Sequence, residues 1–209
     1  MSEVVVYGAD YSVYTRIALL ALIEKEVPYH LEPVDVLGGG IPDDYKTRHP
    51  FLKIPALEHD GFSIYETGAI TRYIDEVFEG RALMPDDVQA WTRANQIISI
   101  LDNYAYRTLV WDVFVERVRK PEPDEGIIAA ALVRAETLLS AVEGLMVGDS
   151  YFLGEFPTLA DLYAGPMIAL FRQSPEGNEM LIKHMRWLHW WNRMNDRPGM
   201  ISTRAPIEG

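Results

Sequence analysis

The chain has 209 residues, 48% of them apolar and 24% charged, with a formal net charge of -12. That length holds one large domain or two modest ones with buried cores, and the acidic balance argues against nucleic acid or an anionic membrane as partner. With no cysteine there is no disulfide, no thiolate nucleophile and no thiolate metal ligand, so any sulfur chemistry has to come from a bound thiol. The opening residues MSEVVVYG lack a basic region leading into an apolar run, and no stretch approaches about 18 consecutive apolar residues. A cytoplasmic protein without membrane partners is expected.

In chain order, Val4-Val5-Val6-Tyr7 is a β-branched run ended by Gly8, as in a strand buried on both faces. A helical pattern continues from Tyr14 to Glu26, with Ile17, Leu20 and Ala21 on one face, and Pro28 stops it. Ser12 stands at the junction. A short hydroxyl there has two jobs open to it: capping the helix, or pointing its O-H at something bound against the helix's positive end. Tyr29 to Val36 alternates like a second strand, and Pro33 places it at a sheet edge. The opening unit is therefore β-α-β with a parallel pair.

Leu37-Gly38-Gly39-Gly40 lacks the Lys-Ser/Thr or glycine frame of a phosphate cradle and reads as a loop, with a short helical turn after it over Asp43 to His49. Lys53-Ile54-Pro55-Ala56-Leu57-Glu58-His59 leads into a strand, Asp60-Gly61 is a hairpin turn, and Phe62 to Tyr65 returns. A helix opens at Glu66-Thr67 and runs to about Phe78. Pro55 is either an ordinary edge-strand proline or holds a cis bond that exposes the preceding backbone to a ligand.

Residues 81-87 read as a linker, and the chain beyond it is helical: Val88 to Lys120, Ile127 to Met146, Thr158 to Phe171 and Met180 to Met194. Thr158-Leu159-Ala160-Asp161 is a capping box, so Asp161 is expected to be structural. Trp187, Trp190 and Trp191 form an aromatic stripe expected to pack rather than bind. The histidines at 30, 49, 59, 184 and 189 show no metal-ligand spacing, and no metal is expected.

Four segments in order carry a resemblance: Tyr7-Gly8, Ser12 with Arg16, His49-Pro50-Phe51-Leu52-Lys53-Ile54-Pro55-Ala56-Leu57, and Glu66-Thr67-Gly68-Ala69-Ile70. Together with the strand and helix order they resemble the cytosolic glutathione transferases, and among them the serine-type phi and theta classes. The resemblance implies a thioredoxin-like α/β domain over 1-80, a linker, and an all-α domain over 88-209. It also implies a homodimer.

By the same resemblance, Thr67 and the helix start it occupies would hold the γ-glutamyl carboxylate of glutathione, and Glu66 its ammonium. Lys53 would pair with the glycyl carboxylate, and Ile54, ahead of a cis Pro55, would offer its backbone to the cysteinyl part. Ser12 would donate to the sulfur, favouring the thiolate of a thiol that ordinarily titrates near 8.5. Tyr11 and Tyr14 flank Ser12 and compete for that role. Tyr104, Trp111 and Phe114, with Tyr11, would border a pocket for a small hydrophobic electrophile. His49 stands where the family usually has Asn, Leu52 where it has Gly, and the loop at Gly39-Gly40-Ile41 lacks the basic pair usual in phi enzymes. The expected activity is conjugation of glutathione, with peroxidase, isomerase or dehalogenase chemistry as variants on the same thiolate. The alternative is a non-catalytic module of the same fold used for binding or assembly.

Overall fold

The computed structural model of the chain describes residues 3-208; Met1, Ser2 and Gly209, which the expected domains include, lie outside the described residues. The described residues divide into two units, the first reaching Leu83 and rejoined by Ile201–Ile207, the second spanning Met84–Met200. The return of Ile201–Ile207 to the first unit differs from the expectation that all residues after 88 form one domain. Its anchor is visible: the Arg16 guanidinium, buried in the first unit, donates from Nε to the Thr203 hydroxyl at 3.1 Å.

In the first unit, Val4–Gly8 (β1) lies between two neighbours, which is why its valines leave little surface exposed. β2 (His30–Pro33) pairs with it in parallel at one side. β3 (Ala56–His59) pairs with it antiparallel at the other, and β4 (Phe62–Tyr65) closes the order β2-β1-β3-β4. Pro33 lies on an edge strand, as its missing N-H requires. β2 is shorter than the alternating pattern suggested, because the chain beyond Pro33 turns into a loop closed by a bridge between Asp35 and Gly40. Asp60 and Gly61 both have positive φ, the conformation that the tight hairpin demands.

The helix α1 (Val13–Glu24) comes after β1, and α2 (Thr67–Val77) after β4. α1 is buried over nearly its whole length because sheet and α2 both pack on it. A buried ion pair, Lys25 Nζ to Asp75 Oδ1 at 2.8 Å, ties its C-terminal end to α2, and the same oxygen accepts the Leu83 N-H at 2.7 Å. This is the thioredoxin-like α/β arrangement expected from the sequence.

The second unit is helical: α3 (Val88–Ile100), a π-helical segment (Leu101–Arg119), α4 (Glu125–Glu143), α5 (Leu159–Phe171), α6 (Pro175–Lys183) and α7 (Met185–Asn195), with α8 (Pro198–Ser202) leading out. The stretch read as one helix from Val88 to Lys120 is continuous but changes its turn at Leu101, and i to i+5 helices of that length are uncommon. Met180 to Met194 is not one helix. Ser174 caps a helix one turn earlier, accepting the Gly177 N-H at 3.1 Å with Pro175 at the first position, and the chain breaks at His184. The His184 ring, 2.8 Å from Glu143 Oε2 and 3.3 Å from Glu136 Oε1, pins that break to α4.

Every residue of α5 is buried, which makes it the centre of the second unit. Asp161 is fully buried there and accepts from Thr158 N and Oγ1, Phe152 N and Trp190 Nε1, between 2.8 and 2.9 Å. Burial pushes its carboxyl pKa upward, and those donated hydrogen bonds work in the opposite direction. The tryptophan stripe packs as expected, with Phe152 stacked on Trp190 at 4.7 Å between ring centroids and Trp187 Nε1 bonded to the Leu139 carbonyl. No helix among the described residues is long and apolar enough to cross a membrane, and no group of three or more of their His, Cys, Asp and Glu side chains is placed to hold a metal.

Candidate functional site

The register of the sheet decides what gathers at its end. Tyr7, Ala56 and Tyr65 form one row across β1, β3 and β4, and Gly8 stands opposite Pro33 on β2. One step beyond that row the chain passes into the Ser12 turn, the Ile54-Pro55 segment, Glu66-Thr67 and the Asp35 loop. Four connections therefore converge at one end of the sheet, and they carry the residues singled out from the sequence: Ser12, Lys53, Ile54, Pro55, Glu66 and Thr67.

Gly8 opens the way for the Ser12 turn. A Cβ there would stand 2.4 Å from the Thr15 hydroxyl, so only glycine lets the strand end pass beneath the first turn of α1. Ser12 is the N-cap of α1, in extended backbone conformation, and its Oγ accepts the Thr15 N-H at 3.2 Å. A hydroxyl has one hydrogen to donate besides its lone pairs. Capping uses a lone pair, which leaves the O-H for another partner at the positive end of the helix.

Tyr11 is occupied elsewhere. Its hydroxyl donates to Asp35 Oδ1 at 2.8 Å and accepts the Val36 N-H at 3.1 Å. The same Asp35 oxygen accepts from Leu37 and Gly38, so the aspartate organises the loop after β2 while Tyr11 staples that loop to the Ser12 turn. These donors hold the Asp35 carboxyl below its ordinary range, the Gly38 N-H foremost, and burial together with the bond to Asp35 raises the Tyr11 phenol. No basic side chain occurs from Asp35 to Pro42.

The Ile54-Pro55 peptide is cis, the second of the two readings of Pro55. Among the described residues the Ile54 N-H donates no hydrogen bond. On the other edge of the Lys53-Ile54 peptide, the Lys53 carbonyl accepts from the hydroxyl of Tyr45 at 2.7 Å. Lys53 itself is exposed. Tyr45 was not marked by any spacing in the sequence: the segment around it reads only as a helical turn, and the carbonyl it touches lies eight residues on.

Glu66 has φ 72, a left-handed conformation unusual for a residue with a side chain, and its side chain does not cap α2. The start of α2 is thus uncapped by Glu66, and the buried Thr67 stands at its first position. Strained backbone of this kind costs on the order of 1–3 kcal/mol and clusters at functional sites. Behind it lies His49, 2% exposed, with its ring 5.0 Å from Tyr65 and its Nδ1 buried without a hydrogen-bond partner. Burial lowers the His49 pKa and Lys53 adds to that, while Glu66 opposes it.

Of the aromatic residues expected at a pocket in the second unit, Tyr104 is 64% exposed and Trp111 37% exposed, whereas Phe114 is 5% exposed and belongs to the core of that unit.

Taken together, the sheet end offers an open backbone donor at Ile54, the first turn of a helix beside Thr67, an exposed carboxylate and ammonium on Glu66 and Lys53, and a hydroxyl at the start of α1. A helix start, a free backbone N-H and exposed charges of both signs are groups that can bind a charged ligand with a peptide edge. Comparison with known proteins points the same way. Residues 6–82 match the family model described as the glutathione S-transferase N-terminal domain, and residues 103–198 the one described as its C-terminal domain. The glutathione S-transferase hmp2 of Hypomyces subiculosus is 32% identical over 168 residues, 77% of this chain and 78% of that relative. Glutathione S-transferase F9 of Arabidopsis thaliana is 27% identical over 208 residues, covering 96% of this chain and 95% of its own. The crystal structure of glutathione transferase F7 from Populus trichocarpa superposes with a TM-score of 0.84 at 26% identity, covering 99% of both chains.

Proposed function

The chain belongs to the glutathione S-transferase family, and from that premise we propose that it joins the thiolate of glutathione to a small hydrophobic electrophile, with the Ser12 hydroxyl stabilising the thiolate. It is a transferase with glutathione as co-substrate. Thr67 and the α2 start take the γ-glutamyl carboxylate, Glu66 the ammonium, Ile54 the cysteinyl backbone and Lys53 the glycyl carboxylate. Lys53 works without a basic partner in the Asp35 loop, and an exposed ion pair contributes at most about 1 kcal/mol. Glutathione is held mainly by backbone and by the γ-glutamyl end.

The thiol proton passes to solvent, and the sulfur that remains accepts the Ser12 O-H at the positive end of α1. Its lone pair forms the carbon–sulfur bond at the electrophilic carbon, and the leaving group departs with its electron pair. For the electrophile we assign the accessible aromatics Tyr104 and Trp111. The proposal extends to a cytoplasmic homodimer, as the family leads one to expect.

The observation that carries the assignment of Ser12 is the pair of hydrogen bonds on Tyr11 set beside the single capping bond on Ser12. The tyrosine hydroxyl already donates to a carboxylate, whereas Ser12 Oγ is only an acceptor in its capping bond and keeps its O-H to donate. Binding to immobilised glutathione, then conjugation assays on wild type, Ser12→Ala and Tyr11→Phe, tests it. Ser12→Ala is expected to lower kcat/KM about a hundredfold, the effect of removing one preorganised donor, and Tyr11→Phe to stay within about threefold of wild type. Full rate in Ser12→Ala would move the role to Tyr14 or Tyr11. A wild type that neither binds glutathione nor turns over any electrophile would leave the binding-module reading in its place.

A further inference from the structure

Resting on the glutathione reading above, we infer that Tyr45 is a positioning residue of the site: its hydroxyl fixes the Lys53-Ile54 peptide so that the Ile54 N-H faces the peptide backbone of the ligand. Tyr45 lies in the 3-10 turn Asp43–Thr47 and is 1% exposed. Its ring belongs to a buried cluster with Val34 and Ala56, against which Tyr7, Val36, Ile41 and Ile54 pack. The cluster thus joins the loop after β2 to the start of β3, the two segments between which the site's backbone donor stands.

Tyr45 grips its own segment at both ends. Its carbonyl accepts the N-H groups of Arg48 and His49 at 2.9 and 3.0 Å, and its hydroxyl reaches forward to the Lys53 carbonyl at 2.7 Å. A trans peptide is planar, with its C=O and N-H pointing in opposite directions. Holding the oxygen of Lys53 toward the cluster therefore directs the N-H of Ile54 away from it, and that is the N-H with no partner among the described residues. Burial pushes the Tyr45 phenol up to about 12, so it remains a donor across the working range.

The core alone does not call for the hydroxyl. A phenylalanine fills the same volume, whereas the O-H has one polar partner, a carbonyl on the arm that bears Lys53 and Ile54. Tyr45 touches no reacting atom. Its contribution is affinity rather than rate.

Tyr45→Phe tests this by calorimetric binding of S-methylglutathione, which has the peptide but no ionisable thiol, together with steady-state kinetics. Kd for S-methylglutathione and KM for glutathione are expected to rise about tenfold, the effect of one hydrogen bond, while kcat at saturating glutathione stays within about twofold and keeps its pH profile. Val34→Ala, which thins the packing around the same ring but keeps the hydroxyl, is expected to lower the thermal midpoint and leave Kd within about threefold. Equal loss of affinity in both variants, or an unchanged Kd in Tyr45→Phe, would assign Tyr45 to the core and overturn the inference. So would a fall in kcat at unchanged Kd. A wild type that does not bind S-methylglutathione would overturn the glutathione reading and this inference with it.

Discussion

Leu52 holds φ 53 and is 41% exposed, so it bears the cost of a left-handed backbone without burying its side chain in return. Glycine avoids that cost, which is about 1–2 kcal/mol for an L-residue, at the expense of some added freedom in the unfolded chain. Leu52→Gly is expected to raise stability by about 0.5–1 kcal/mol in urea unfolding, with glutathione affinity unchanged. The neighbouring His49 makes the opposite kind of prediction. Its folded pKa is depressed, foremost by burial, so the fold favours the neutral ring. The associated stability is present in full above the ordinary value of about 6.5 and is lost as pH falls below it toward the folded pKa. Wild type should therefore lose more stability than His49→Asn between about pH 7.5 and pH 5.5, measured as urea midpoints; equal losses would remove His49 from the account. At this scale the sequence was informative wherever a residue flanks a strand end. Ser12, Lys53, Ile54-Pro55 and Glu66-Thr67 lie in such junctions, and the family resemblance is what singles them out as candidates. Tyr45 and the bond from Tyr11 to Asp35 could not, because each depends on which side chain meets which loop across a turn.

Among the elements, β1, β3, β4 and the first-unit helices agreed with their patterns, since a β-branched run and an apolar stripe each bury one way in a sheet with helices packed on it, while β2 stopped short at Pro33. The second unit agreed less closely. The pattern read as one helix over Met180 to Met194 ran through His184 without signalling a break, because His184 is tied there by contacts to Glu136 and Glu143 on α4 and no glycine or proline marks the position. The earlier start of α6 was open to reading in Ser174-Pro175, a cap with a proline after it at the first helical position. The shift to π-helical turns at Leu101 carries no local mark that we recognise. Where elements are tied by charge the consequences are larger. Lys25 and Asp75 are 3% and 7% exposed at the side chain, and Asp75 also accepts the Leu83 N-H. Asp75→Ala strands a buried ammonium and a backbone donor, and is expected to cost about 3–5 kcal/mol in unfolding free energy. A cost below about 1 kcal/mol would show that solvent replaces the carboxylate there.

For the whole molecule, the net charge of -12 bears on the chemistry directly. A protein field of that sign disfavours one more anion, so it opposes formation of a thiolate. Whatever lowers the thiol pKa has to act locally, and the first turn of α1 with the Ser12 hydroxyl is the local device we propose. The contribution of distant charges is screened by salt over about 10 Å at 0.1 M, whereas a direct hydrogen bond is not. The decisive measurement is a titration of the thiolate absorbance of enzyme-bound glutathione, in wild type and in Ser12→Ala, at saturating ligand and moderate salt. The bound thiol should titrate at least about one unit below the free value of about 8.5 in wild type, and return most of the way toward it in Ser12→Ala. A bound thiol that titrates identically in the two proteins would contradict the assignment of Ser12 as its donor.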